Sequence, residues 1–180
     1  MKRILAVAVL LVVALSVSFS QMSYKKGDQN VSAMIGLGGV GGLYGTSTIP
    51  AISVSYDYGY NENITFGGIA GYAGSSEDFY WAEYKYSYII IAARGAYHLD
   101  LLHNSNLDTY GGIMLGYNIV SSSVSNKAGY AGTYNATASS SYMLFGGFIG
   151  GRYYFTPNLA AQAELGYGLG ILNLGISYKL

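Results

Sequence analysis

The chain has 180 residues, of which 51% are hydrophobic and only 10% are charged, with nine basic and nine acidic side chains. A soluble domain usually carries about 25% charged residues, so this composition argues against an ordinary water-covered surface. The absence of cysteine excludes a disulfide framework, a cysteine-ligated metal site and a thiol nucleophile. The balanced charge lacks the basic excess typical of nucleic-acid-binding proteins.

The first 20 residues have the three regions of a signal peptide. Lys2 and Arg3 precede an unbroken apolar run of 12 residues from Ile4 to Leu15, and Ser18-Phe19-Ser20 provides the small residues of a cleavage site. A membrane-spanning helix would need about 20 apolar residues. We therefore expect 1–20 to be removed after export, leaving a periplasmic lead-in over 21–29 and a single domain over 30–180.

The rest of the chain alternates between apolar residues and small or polar ones with a period of two, which predicts β-strands. Between Leu172 and Leu180 every second residue is apolar, and Asn173, Gly175 and Ser177 occupy alternate positions. The eight predicted strands are 30–38, 51–59, 64–73, 84–98, 107–118, 142–155, 159–168 and 171–180.

The connections between the predicted strands differ in length. The long ones are 39–49, 74–83 and 119–141, the short ones are 60–63 and 156–158, and 99–106 is intermediate. The last hairpin has a tight turn at 168–170, which is predicted to lie outside with the long loops. An even number of antiparallel strands of about 9–11 residues, with short turns at one end, is typical of outer-membrane barrels. The sequence therefore predicts an all-β fold, an eight-stranded antiparallel up-and-down transmembrane β-barrel with its longer loops outside the cell.

Charge placement separates this barrel from a soluble one of the lipocalin type, which would carry its charges outside. The apolar face of each predicted strand is uncharged, and the charged residues within strands lie on the opposite face, which is rich in glycine and serine. We therefore predict lipid outside and a closed polar lumen in which three basic and three acidic side chains form ion pairs in the lower half. This lumen charge network comprises Asp57, Arg94, Asp108, Arg152, Glu164 and Lys179. Counting from the turn at 156–158 sets Arg152 opposite Gln162 and within reach of Glu164.

Aromatic residues fall near the predicted strand ends on the apolar face, as in the girdles that barrels place at membrane–water interfaces. The predicted girdle comprises Tyr56, Tyr58, Tyr72, Tyr97, Tyr117, Tyr153, Phe155, Tyr167 and Tyr178. A surface that stacks carbohydrates or bases is the alternative interpretation of these rings.

The C-terminal residues Asn173-x-Gly175-x-x-Tyr178-x-Leu180 resemble the signal read by the barrel assembly machinery, although phenylalanine is the commonest last residue there. With the stretch from Phe145 to Leu180, the chain resembles small porin-family outer-membrane proteins of Gram-negative bacteria, in particular OmpA- and OmpX-type eight-stranded barrels. The resemblance implies the fold, a place in the outer membrane among its lipids, and the assembly machinery as a partner during biogenesis. It implies no single function, because these families have varied roles.

The sequence offers no convincing catalytic, cofactor or metal site. His98 and His103 lack a third ligand nearby, and the glycine motifs lack the strand–helix context of a nucleotide site. His103-Asn104-Ser105 matches a spacing found in lipid A deacylases, which are also barrels, but it falls in a predicted periplasmic turn. The acidic and aromatic segment Glu77-Asp78-Phe79-Tyr80-Trp81 is the candidate surface-interaction loop.

We therefore predict a non-enzymatic, monomeric outer-membrane barrel without a cofactor or a nucleic-acid partner. Its role would be envelope-structural or surface-interacting through the extracellular loops. Three alternatives stay open: transport of small solutes through a narrow or lateral path, a lipid-modifying enzyme, and a secreted adhesin or fibre subunit.

Overall fold

The computed structural model describes residues 25–38, 49–78, 82–99, 102, 104–126, 136–166 and 170–180. They form one closed antiparallel barrel whose eight strands follow chain order, which confirms the predicted fold class. The strands are β1 (Gln29–Leu37), β2 (Ile49–Gly59), β3 (Ile64–Asp78), β4 (Ala82–Leu99), β5 (Leu107–Asn126), β6 (Ala136–Tyr154), β7 (Leu159–Gly166) and β8 (Leu172–Lys179). No helix within the described ranges is long and apolar enough to cross a membrane. The predicted signal peptide lies outside these ranges.

The barrel closes where the last strand pairs with the first. The β1–β8 register runs from Asn30 opposite Lys179 to Leu37 opposite Leu172. Inside this seam the buried hydroxyls of Ser32 and Ser177 are hydrogen-bonded at 3.0 Å. Closure removes the exposed strand edges that would otherwise pair with other chains.

The connections that follow β2, β4 and β6 lie at one end of the barrel, which we call the short-turn end, and side chains hold two of its turns. The Asn61 side-chain oxygen accepts hydrogen bonds from the backbone N–H groups of Asn63 and Ile64, at 2.9 and 2.7 Å. The Thr156 hydroxyl accepts one from the Leu159 N–H at 3.0 Å. These turns use the ability of asparagine and threonine to imitate a backbone acceptor.

Four neighbouring strands are longer than the sequence pattern predicts. The predicted loops 74–83 and 119–141 are wrong in large part, because β3, β4, β5 and β6 continue through 74–78, 82–83, 119–126 and 136–141. These stretches are rich in serine, glycine and other polar residues, as loops are. Antiparallel pairing nevertheless continues through them, for example between β3 and β4 from Gly74 opposite Ser87 to Asp78 opposite Glu83. We call 74–78, 82–88, 120–126 and 136–141 the raised sheet.

Successive side chains alternate between the two faces of the barrel along most of each strand, with one irregularity in the β2–β3 register between Ile49 and Ile52. The outward positions carry large apolar side chains that are exposed at the protein surface, including Ile35, Val54, Phe66, Ile91, Ile113, Leu115, Phe145, Ile149, Leu165 and Ile176. The inward positions carry most of the buried polar residues, including Asn30, Ser55, Asp57, Arg94, Arg152 and Glu164. This inside-out distribution is the arrangement expected of a barrel surrounded by lipid.

The interior is not polar throughout, which corrects the prediction of a polar lumen. Apolar side chains form a buried cluster inside the barrel that includes Met34, Ile69, Ile90, Met114, Leu144 and Phe148. Alternation places these positions on the inner face, where only charged and small residues were expected. The apolar cluster lies beyond the charged residues, towards the raised sheet, because Ile90 precedes Arg94 on β4 and β4 descends from the raised sheet.

Candidate functional site

Arg94 is the centre of a buried ion-pair network in the barrel interior. Its Nη2 atom lies 2.6 Å from Oε1 of Glu164, and its Nε atom lies 3.2 Å from Oδ1 of Asp57. The guanidinium also lies 4.2 Å from the centre of the Phe148 ring. One cation from β4 therefore joins carboxylates of β2 and β7 and packs against the apolar cluster above it.

Arg152 is the second cation of this network. It is ion-paired with Asp57 through Nη2 and lies 3.6 Å from Asp108 through Nη1. Its Nε donates a 3.2 Å hydrogen bond to Gln162, the residue that faces it across the β6–β7 register. Arg152 reaches across the lumen to Asp57, whereas the Glu164 carboxylate, predicted to be its partner, pairs with Arg94 instead.

Lys179 does not join the other five predicted members of the network. Its Nζ lies 2.5 Å from Oδ2 of Asp28, just before the first strand, and both side chains are partly exposed. Lys179 faces inward by parity, but it is the last residue of β8 and so lies at the rim. Face alone therefore did not determine its partner, since height along the strand also matters.

His98 takes a place in the network that the sequence analysis did not assign. Its Nδ1 atom lies 2.6 Å from Oδ1 of Asp108, and its Nε2 atom lies 3.0 Å from the Thr65 hydroxyl oxygen. The signal was available, because His98 follows Arg94 by four residues on the same inward face of β4. The network thus contains three carboxylates, two guanidinium groups and one imidazole.

Thr65, His98 and Asp108 have the order of contacts of a nucleophile, a base and an orienting acid. Thr65 is only 1% exposed, however, and its hydroxyl is enclosed by the wall of the barrel at the end of the short turns. A substrate carbonyl would have to lie next to this oxygen. The three side chains are hydrogen-bonded to one another among the buried residues of the lumen.

Neutral polar side chains complete the hydrogen bonding of Glu164. The Tyr110 hydroxyl and the Gln162 amide each donate to Oε1 of Glu164 at 2.8 Å. The Tyr110 ring also lies 4.7 Å from the Arg152 guanidinium carbon. Because pairing and hydrogen bonding stabilise a buried charged group, these contacts explain how the narrow lumen holds the Glu164 carboxylate.

Two inward glycines lie where a side chain would collide with its neighbours. A Cβ atom at Gly150 would lie 2.8 Å from Cγ of Glu164 and 2.9 Å from Cζ of Tyr110. A Cβ atom at Gly67, which faces Arg94 in the β3–β4 register, would lie 1.8 Å from the carbonyl oxygen of Tyr56. Glycine at position 150 leaves room for the Glu164 and Tyr110 side chains, and glycine at position 67 permits the close approach of the β2 backbone.

Most of the predicted girdle residues have exposed side chains on the outer face. Tyr56, Tyr58, Tyr97, Phe155 and Tyr178 are exposed near the end with the short turns, and Tyr153 there is half-buried. Tyr72 and Tyr117 are exposed further along β3 and β5, towards the raised sheet. Tyr167 lies outside the described residues.

The remaining predicted sites are placed as follows. The assembly-signal residues Asn173, Gly175 and Tyr178 lie on β8, and Leu180 follows it. In the candidate surface-interaction loop, Glu77 and Asp78 belong to β3 rather than to a loop, because pairing with β4 continues to Asp78. The rest of that loop, Phe79-Tyr80-Trp81, lies outside the described residues, and so does His103. Among the described side chains, no three potential metal ligands form a group.

No family model and no curated protein sequence matches the chain. Solved structures do match over almost their whole length. Ail, the attachment invasion locus protein of Yersinia pestis, solved in complex with the heparin analogue sucrose octasulfate, matches at 15% identity and a TM-score of 0.58 over 86% of this chain and 99% of that chain.

Two further structures have the same architecture. A major outer membrane protein from Thermus thermophilus matches at 14% identity and a TM-score of 0.67, over 86% of this chain and 99% of that one. The N-terminal β-barrel domain of Pseudomonas aeruginosa OprF matches at 14% identity and a TM-score of 0.52, over 87% and 98%. The chain has the fold of eight-stranded outer-membrane barrels. The resemblance to OmpA- and OmpX-type proteins is thus confirmed at the level of the fold.

Proposed function

We propose that this protein is an integral outer-membrane β-barrel with a closed lumen, which acts without catalysis through its outer end. The outward positions of β5 are uncharged and mostly apolar from Leu107 to Ile119. At about 3.3 Å per residue and a tilt of about 40°, this stretch spans roughly 30 Å of membrane thickness. That height agrees with a hydrocarbon core of about 25–30 Å.

The observation that carries the proposal of a closed lumen is the double bridge made by Arg94 and Arg152 on Asp57. These contacts, together with those to Glu164 and Asp108, link β2, β4, β5, β6 and β7 across the interior. An eight-stranded barrel has a lumen just wide enough for its own side chains. The apolar cluster around Phe148 occupies the interior beyond the charges, and these two layers together support a lumen filled by side chains.

The raised sheet supports a role at the outer end. We call the band of outward apolar side chains the apolar belt. In the raised sheet, β3–β6 continue beyond this belt with mostly polar residues, whereas β7 and β8 have only eight residues each. Ail, with the same architecture, is an attachment invasion locus protein. We propose for this chain the coarser role of surface contact or envelope support, with the raised sheet as the surface that is presented.

The absence of cysteine from the sequence allows a direct test of membrane topology. Ser123→Cys places one thiol on the raised sheet, and Lys26→Cys places one beside the short-turn end. A membrane-impermeant maleimide added to intact cells should label the Ser123→Cys variant, and it should label Lys26→Cys only after the outer membrane is opened. Labelling in the opposite order would overturn the proposed orientation, and recovery of the chain in the soluble fraction would overturn the barrel's place in the membrane.

Conductance in planar bilayers separates the closed barrel from the transport alternative. The purified, folded protein should give no current steps above those of protein-free bilayers, while an open porin in the same bilayers gives the positive control. Regular steps that scale with salt concentration would show an ion path and favour transport.

A further inference from the structure

An open groove of about 440 Å³ lies on the raised sheet of the barrel. Its lining includes Tyr72, Ser76, Lys85, Ser87, Ser121 and Thr137. Tyr72 is an outward residue, and Ser76 lies on the same face because it is four residues further along β3. Ser87 and Lys85 likewise share the face of the exposed residue Ile89. We call this feature the outer groove, since most of its lining comes from outward positions.

The outer groove begins where the apolar belt ends. Tyr72 is paired with Ile89, and Ile89 with Ile119, so these three residues form the last apolar row. The next outward row, two residues further along each strand, contains Gly74, Ser87 and Ser121, which are also paired in register. The apolar surface and the hydroxyl-rich groove are therefore adjacent, only two residues apart along each strand.

The groove presents three kinds of contact. Serine and threonine hydroxyls can donate to and accept from the hydroxyl groups of a sugar. The Tyr72 ring can pack against a sugar ring, and the ammonium group of Lys85, an exposed residue, can pair with a phosphate. Ile89 and Ile119, immediately below, offer contact to acyl chains. A free sugar phosphate would leave this apolar edge unused.

We propose that the outer groove binds the phosphorylated sugar headgroup of a glycolipid in the outer leaflet, with the acyl chains along the belt below. The site rests on the proposed function, because it requires the raised sheet to face outward from an outer membrane. Lys85 contributes the charge contact with phosphate, and the serine hydroxyls select a sugar headgroup over a simple phospholipid.

Native mass spectrometry of the folded full chain in detergent tests this site, with diphosphorylated lipid A as the probe. Two comparison lipids are used: dephosphorylated lipid A, which lacks the phosphates, and phosphatidylglycerol, which has a phosphate but no sugar. Lys85→Gln removes the cation, and Ser121→Trp fills the groove. The matched controls are Lys26→Gln, which removes one exposed charge at the other end, and Ile171→Trp, which adds the same ring on the opposite wall.

The measurements are made in EDTA. Divalent cations bridge phosphates to carboxylates, and their removal leaves Lys85 as the charge contact that the substitutions test. We expect Lys85→Gln to weaken lipid A binding about fivefold, which corresponds to one basic side chain near an anionic surface. Ser121→Trp should weaken it at least as much, and both controls should bind like the unmodified chain.

Three results would overturn the proposal: equal binding by all variants, equal retention of phosphatidylglycerol, or no effect of removing the phosphates from lipid A. Each variant is first shown to be folded by its heat-dependent migration on gels. A chain that is folded and labelled at the cell surface but does not bind lipid A refutes only the groove. A chain that is not inserted in the membrane refutes the proposed function itself.

Discussion

Replacing Arg94 by methionine tests whether the interior network stabilises the barrel through charge pairing. Methionine keeps a long side chain against Phe148 but removes the guanidinium. Arg94 is 2.6 Å from Glu164 and 3.2 Å from Asp57, so the substitution leaves two buried carboxylates without their shared cation. We expect a large loss in the free energy of unfolding.

The size of this loss follows from the contacts that remain. At an effective dielectric of about 20, each ion pair contributes roughly 5 kcal/mol of gross Coulomb energy, most of which offsets the desolvation of the ions. In the variant the carboxylates stay buried, so removal of one partner should cost about 3–5 kcal/mol. Asp57 keeps Arg152, and Glu164 keeps the donors Tyr110 and Gln162, which places our expectation at about 3 kcal/mol.

The double variant Arg94→Met/Glu164→Gln separates charge pairing from the loss of packing. It removes a cation and an anion together, and replacing a buried pair by neutral groups is often close to neutral. We expect the double variant to lose only about 1 kcal/mol, to be compared with Glu164→Gln alone in a double-mutant cycle. Urea unfolding in phospholipid vesicles, followed by the folded and unfolded bands of unboiled samples, measures each value. If Arg94→Met loses less than about 1 kcal/mol, or if the double variant is no more stable than Arg94→Met, the pairing argument is wrong.

Three further predictions use the same unfolding measurement. Gly150→Ala should lower the free energy of unfolding by about 1–3 kcal/mol because the new Cβ would lie against Glu164. Gly151→Ala should be tolerated, since the nearest neighbour of its Cβ would be 3.5 Å away. Equal effects of the two substitutions would contradict the crowding argument. Lys179→Met should cost no more than about 1 kcal/mol, since its ion pair lies at the partly exposed rim, and a larger loss would show that it supports the interior. Ile113→Arg should cost about 2–4 kcal/mol in the middle of the belt, whereas Ser123→Arg on the raised sheet should have little effect; the reverse order would refute the placement of the membrane.

Strand alternation was sufficient to predict the faces of the barrel. Arg94 and Arg152 lie inside the barrel, as predicted from their place on the strand face opposite to the apolar one. Arg152 also faces Gln162, as predicted by counting back from the turn at 156–158. Alternation specifies a face because neighbouring side chains in a strand point to opposite sides. It does not specify height, which is why Lys179 was grouped with charges that it does not reach.

Composition misled the prediction where the strands leave the apolar belt. The serine-rich stretches 119–126 and 136–141 were interpreted as loop, although they pair in register, as Ser121 does with Ser139. Strand pairing is carried by the backbone, so it can continue after the apolar signal ends. The role of His98 was missed for another reason: it was considered only as a metal ligand, whereas its partners Thr65 and Asp108 lie on other strands.

The interior network also constrains the order in which the barrel can be completed. Asp57 lies on β2, but its cation partners lie on β4 and β6, and the partner of Arg94 on β7 comes still later in the chain. A partly assembled sheet that buried the early strands would enclose Asp57 before its charge was matched. We therefore expect assembly intermediates to leave Asp57 accessible to water until β6 and β7 have joined the sheet. The last strands then close the wall and neutralise the charges of the first in one cooperative step.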